Sequence, residues 1–82
     1  MSPRLRRLSA RDACRALRRF GFEIVATRGS HAKLRRTLPD GRRQTLTLPL
    51  HREIASGTLG ALYRQACRFV REEELRPFFF QD

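Results

Sequence analysis

Two imidazoles, His31 and His51, are the side chains of this 82-residue sequence best suited to moving protons near neutral pH, because imidazole ordinarily titrates at about 6.5. His31 closes the tripeptide Gly29-Ser30-His31, with Arg28 just before it and Lys33 and Arg35 at alternate positions after it. A histidine among such cations can take a proton from a hydroxyl beside a phosphate, while the cations stabilise charge that develops on the phosphorus oxygens. Gly29 would let the main chain approach a phosphate closely, and Ser30 can donate to a phosphate oxygen. RNA carries the hydroxyl that such a base needs. Deprotonation of a 2′-hydroxyl lets that oxygen attack the adjacent phosphorus and leaves a 2′,3′-cyclic phosphate and a 5′-hydroxyl, with no metal or cofactor required. Taken alone, the same residues also describe a turn whose histidine merely faces solvent.

His51 could protonate a leaving 5′-oxygen, but its place in a loop after Pro49 fits better with a histidine that shapes the loop. Arg35, Arg36, Arg42 and Arg43 flank the turn signal Pro39-Asp40-Gly41. They read as a clamp on phosphates rather than a solvated turn, since only Asp40 is near enough in sequence to neutralise them.

The whole chain supports an anionic partner. Eighteen Lys and Arg against eight Asp and Glu give a net charge of +10, concentrated in the first two-thirds of the sequence. Nucleic acid is the first candidate. A membrane is not, because no long apolar segment, signal-peptide core or basic amphipathic helix with a broad aromatic face is evident. Cys14 and Cys67 lack the close second ligand of a zinc site and read as buried reduced thiols, which suits the cytoplasm.

The elements that must position these residues can be traced by their periodicity. Residues 1–8, basic and containing Pro3, read as a loose arm. Ser9 caps a helix, Asp12 completes a capping box, and Gly21 stops it. The helix turns Ala10, Ala13, Cys14 and Leu17 inward and presents Arg11, Arg15, Arg18 and Arg19 outward as a docking face. Phe22, Ile24 and Ala26 alternate as one half-buried strand, and a second runs from His31 to Thr37. A third runs from Arg43 to Leu48, with Leu46 and Leu48 inward. If Leu34 points inward, His31, Lys33 and Arg35 share the opposite face. After a loop, Thr58 caps a second helix along Leu59, Leu62, Tyr63, Ala66 and Val70, which Glu72 to Leu75 can extend until Pro77 ends it. Phe78-Phe79-Phe80 then reads as a flap onto the core or a contact for another chain, with residues 77–82 dispensable for folding. This order predicts one α+β domain over 1–82, α-β-β-β-α, whose three-stranded antiparallel sheet carries both helices on one face. Its parts are the arm at 1–8, a core at 9–70 and an extension at 71–82.

Gly21-Phe22, Gly29-Ser30-His31, Pro49-Leu50-His51 and Gly57-Thr58-Leu59, in that order, resemble the HicA toxins of type II toxin–antitoxin pairs over residues 9 to about 70. The resemblance implies a double-stranded-RNA-binding-like fold and a messenger-RNA endoribonuclease held inactive by an acidic HicB-type antitoxin. It also implies that His31 is the catalytic histidine. Beside it, Arg28, Gly29, Ser30, Lys33, Arg35, Arg36, Arg42 and Arg43 are expected to hold RNA. Residues 71–82 run past the family's usual end and are expected to serve self-association or the antitoxin. A non-catalytic RNA-binding module of the same fold competes with this reading, as does a basic subunit bound to an acidic protein. The intact Gly-Ser-His favours the enzyme, as does the lack of Lys at the second helix's start.

Overall fold

In the computed structural model, which describes residues 3–81, the chain runs through β1 (Arg4–Leu5), α1 (Ala10–Arg18), β2 (Glu23–Arg28), β3 (His31–Thr37), β4 (Arg43–Pro49), α2 (Ser56–Ala66), α3 (Glu72–Phe79) and β5 (Phe80–Gln81). The Ser9 hydroxyl accepts from the Asp12 N–H at 3.0 Å, and the Asp12 carboxylate accepts from the Ser9 N–H at 3.3 Å, so α1 begins on the capping box its sequence encodes. It ends as the N–H of Gly21 donates to Arg18 and that of Phe22 donates to Leu17, the paired bonds of a Schellman turn. Gly21 has a φ of +90°, and a β-carbon there would stand 3.2 Å from the Arg36 side chain. Only glycine suits both demands.

β2, β3 and β4 form an antiparallel sheet in that order. Along β3, Ala32 and Leu34 are buried while His31 and Lys33 are exposed, and on β4 the buried residues Leu46 and Leu48 pair with them. Paired residues share a face, so one face is apolar throughout and the other is open. The apolar face shares one core with Ala13 and Leu17 of α1, Leu59, Leu62 and Ala66 of α2, and Leu75 and Phe79 of α3. The expected α-β-β-β-α order, with helices on one face, is therefore the architecture observed.

Three expectations need correction. β2 is not half-buried: every residue of it is exposed, and a bulge between Ile24 and Ala26 breaks its alternation. It is an edge strand that the helices do not reach across, and only Phe22, just before it, enters the core.

The second helix does not begin at Thr58 or run on to Pro77. It begins at Ser56, with Ala55 as its cap residue, because Ile54 is already docked, its N–H donating to the Leu8 carbonyl at 2.8 Å. It ends at Ala66, and a separate helix, α3, holds Pro77 inside it. The main-chain bond that proline forgoes is outweighed by complete burial of Leu75 and Phe79 on either side.

The N-terminal arm is not loose, and the aromatic tail, although it folds onto the core as one of its two readings has it, is too well packed to be peripheral. β1 pairs with β5, Arg4 opposite Gln81 and Leu5 opposite Phe80, and the Arg6 N–H donates to the Phe79 carbonyl at 2.7 Å. Phe79 is fully buried, Phe78 packs edge-on against Phe20 at 5.6 Å, and Phe80 packs against Tyr63 at 4.9 Å. The two chain ends together close the core that the sheet and first two helices leave open.

Cys14 is buried and Cys67 half-buried, both as free thiols. Among the described residues no helix is long and apolar enough to cross a membrane.

Candidate functional site

Two residues, Gly29 and Ser30, connect β2 to β3, with Arg28 paired to His31. Gly29 has a φ of +58° and Ser30 does not have a positive φ, the pattern of a hairpin turn with glycine at its first central position. A β-carbon on Gly29 would meet nothing within 4 Å, so its backbone angle, rather than crowding, calls for glycine. The turn is clipped to the end of β4, where the Leu50 N–H donates to the Ser30 carbonyl at 2.6 Å and Pro49 pairs with His31. His31 is thereby held on three strands, by Arg28 on one side and Pro49 on the other.

The imidazole opens onto the uncovered face of the sheet. Lys33 and Arg35 follow it on the same face at steps of roughly 6.6 Å, twice the rise per residue of a strand. Register sets Thr47 opposite Lys33 and Thr45 opposite Arg35 on β4, and Ala26 opposite Lys33 on β2. A concavity of about 440 Å³ is lined by Ala26, Thr27, Arg28, His31, Lys33 and Thr47, among others. Arg43, paired with Thr37, extends the same face toward the β3–β4 hairpin tip. The acid of this face, Glu23, is paired in register with Arg35. A base, two cations and two hydroxyls thus line one shallow, solvent-open hollow, an arrangement able to hold a phosphodiester against an imidazole.

The other sequence-selected residues divide. Arg36 has the opposite parity from Arg35 and lies on the helix side of the sheet. Its guanidinium donates to Gln44 Oε1 at 2.6 and 2.9 Å, to the Phe20 carbonyl at 3.0 Å and to the Phe69 carbonyl at 2.8 Å, and it stacks over the Phe22 ring at 5.0 Å. These bonds make it a structural clasp, away from the hollow, and not the phosphate clamp that its sequence neighbours suggest. Arg42 lies in the hairpin loop, paired with Asp40 at 2.7 Å with both side chains largely in solvent.

His51 is not beside His31. Its carbonyl accepts the Ala10 N–H at 2.9 Å, tying the loop to the start of α1, and its side chain borders a different groove on the helix side of the sheet. The bond is made by the main chain of residue 51, so it assigns no role to the imidazole.

Sequence reasoning gave no binding role to Thr45 and Thr47, although their outward alternation with Leu46 and Leu48 was the available signal. It also missed the solvent exposure of Ile24 and Leu50, for which alternation gives no signal because it cannot tell an edge strand from a central one.

Residues 10–66 match the family described as HicA toxin of bacterial toxin-antitoxin. No curated protein and no solved structure matches the chain. The matched span runs from the first residue of α1 to the last of α2 and includes the β2–β3 turn and its histidine.

Proposed function

The chain belongs to the HicA toxin family of bacterial toxin–antitoxin systems, and from that premise we propose that it cleaves messenger RNA with His31 as the general base. The family is known for messenger-RNA interferases, and a toxin of this kind implies a cognate antitoxin. The observation that carries the proposal is the open hollow in which His31, Arg28, Lys33 and Thr47 converge on one sheet face.

In this reaction an imidazole nitrogen of His31 takes the 2′-hydroxyl proton as the oxygen attacks the adjacent phosphorus. The bond from phosphorus to the 5′-oxygen breaks, and that oxygen leaves with a proton from solvent or from the imidazolium just formed. Arg28 and Lys33 stabilise the additional negative charge on the phosphorane, and the Thr47 hydroxyl can donate to a phosphoryl oxygen. Because the substrate supplies its own nucleophile, no step calls for a metal-activated water. Lys33, Arg35 and Arg43 then continue the electrostatic track along the sheet for neighbouring phosphates, and Ser30 lies at its start. An mRNA substrate assigns this work to the cytoplasm.

End-group analysis of a labelled RNA after incubation with purified protein in EDTA tests the reaction. Cyclic-phosphate and 5′-hydroxyl ends are expected. Ends with a 5′-phosphate, or cleavage abolished by EDTA, would contradict it, and binding without any cleavage would leave a non-catalytic RNA-binding module.

A further inference from the structure

Phe79 turns into the core and leaves its neighbours Phe78 and Phe80 half-buried at the surface of the helix layer. Both rings carry a guanidinium. Arg19, which caps the C-terminal end of α1, lies over Phe78 at 5.4 Å from the ring centroid, and Arg76 of α3 lies over Phe80 at 5.2 Å. Both arginines are exposed. Beside these pairs the seam between α1 and α3 opens into two concavities of about 360 and 350 Å³. Arg19 and Phe78 line the first, Arg76 and Phe80 line the second, and Arg6 and Pro77 line both, so the two adjoin. None of these residues borders the hollow around His31, and all but Arg19 lie outside the span 10–66 that matches the family.

We infer that this seam is a second contact for single-stranded RNA, holding a stretch of the substrate strand away from the scissile bond. The inference rests on the reading of RNA as the substrate, and not on the role of His31 as the base. Charge argues for a polyanion: among the described residues Arg6 and Arg19 make no ion pair, and Arg76 only approaches Glu72 at 3.7 Å. The acid on the wall, Asp12, is engaged by the Ser9 N–H in the capping box of α1. The rings argue for bases. A guanidinium layered on a ring offers a flat face on which a base can stack, while its N–H groups reach the phosphate beside that base. As a stabilising contact alone, an exposed cation over a ring is weak. Duplex RNA presents no unstacked base to such a platform, so a single strand is the fit. The seam lies in the helix layer and the hollow lies on the uncovered face of the sheet. A strand long enough to pass around the molecule engages both, and each contact then raises the effective concentration of the other.

Fluorescence anisotropy with a labelled 2′-O-methyl oligouridylate, which lacks the attacking hydroxyl and stays intact, tests the assignment. A length of about 20 nucleotides suffices, because even at a stacked rise of roughly 3.4 Å it exceeds the longest extent of the molecule, 41 Å. Phe78→Leu with Phe80→Leu keeps apolar bulk and removes the rings, and it should weaken binding by about fivefold or more, the worth of lost base stacking. Arg19→Glu with Arg76→Glu should weaken binding at least about tenfold more than Arg64→Glu with Arg68→Glu, which makes the same change of charge on exposed residues of α2 and the turn after it. Matching circular-dichroism melts will show that the variants fold. On the parent itself, amide resonances of residues 19, 76, 78 and 80 should shift on adding the oligouridylate. Equal losses in the two charge reversals would overturn the inference, since net charge alone would then account for them. So would an unchanged affinity in the leucine variant, or parent shifts confined to the open face around His31 and Lys33. A parent that binds RNA and never cuts it contradicts the proposed reaction alone, and one whose affinity survives the seam variants contradicts the seam alone.

Discussion

Arg36 donates a 2.8 Å hydrogen bond to the main-chain carbonyl of Phe69, fastening the middle of the sheet to the turn between the last two helices. The same guanidinium serves Gln44 and the Phe20 carbonyl, so its removal would leave several part-buried acceptors without a donor. Arg36→Ala should cost at least about 3 kcal/mol of stability, since it removes several charged hydrogen bonds worth about 1.5–3 kcal/mol each, measured by urea denaturation. Arg35→Ala, one residue away on the open face, should cost far less. A small effect of Arg36→Ala would show that the clasp is incidental.

RNA affinity should separate the two arginines in the opposite sense. Replacing Arg35 and Arg43 together removes two cations from the open face and should flatten the dependence of log affinity on log salt by roughly 0.7 for each single-strand phosphate that is no longer neutralised. An unchanged slope would remove the β3–β4 hairpin from the RNA surface.

Truncation before Pro77 should abolish cooperative folding. It deletes fully buried Phe79, the Phe78 and Phe80 ring packing and the strand that holds β1. Phe79→Ala alone should cost about 3–5 kcal/mol, the range for emptying a buried phenylalanine site. A truncated protein that melts near the parent midpoint would contradict the packing described above.

Those arginines and that tail mark the boundary of what can be read from the residues alone. The capping box of Ser9 and Asp12 and the alternation of Ala32, Leu34, Leu46 and Leu48 are local signals, and they suffice to place His31, Lys33 and Arg35 on one open face. Arg35 and Arg36 look alike in sequence because parity tells which face a side chain leaves from, not whether distant carbonyls at Phe20 and Phe69 await it. Pro77 misleads for a related reason: a local breaker rule gives way when long-range burial of Leu75 and Phe79 favours the helix. The pairing of residues 4–5 with residues 80–81 spans nearly the whole chain and leaves no periodic trace in such short strands.

Stability should decline at alkaline pH. Burial pushes the Cys14 thiol up, opposed by Arg18, and burial likewise pushes Cys67 up, opposed by the Tyr63 hydroxyl. A raised folded-state pKa means the unfolded chain releases its thiol protons first. The associated stability is therefore fully present below the ordinary thiol range, about 8.5, and is lost as pH rises through the higher folded values. Tyr63, pushed up by burial and by its hydrogen bond to Glu72, adds to the decline above the ordinary phenol range. Urea midpoints against pH should fall across this range, and less steeply for Cys14→Ala. A midpoint that rises with pH there would reverse the sign.

The most direct measurement pairs RNA binding with RNA cleavage for His31→Ala. Arg28, Lys33, Arg35 and Arg43 remain on the open face in this variant, so it should bind a labelled RNA about as well as the parent. Its cleavage rate should fall by about 10² to 10⁴, the worth of a general base. A His31→Ala protein that cuts RNA as fast as the parent would contradict the assignment of His31 as the base.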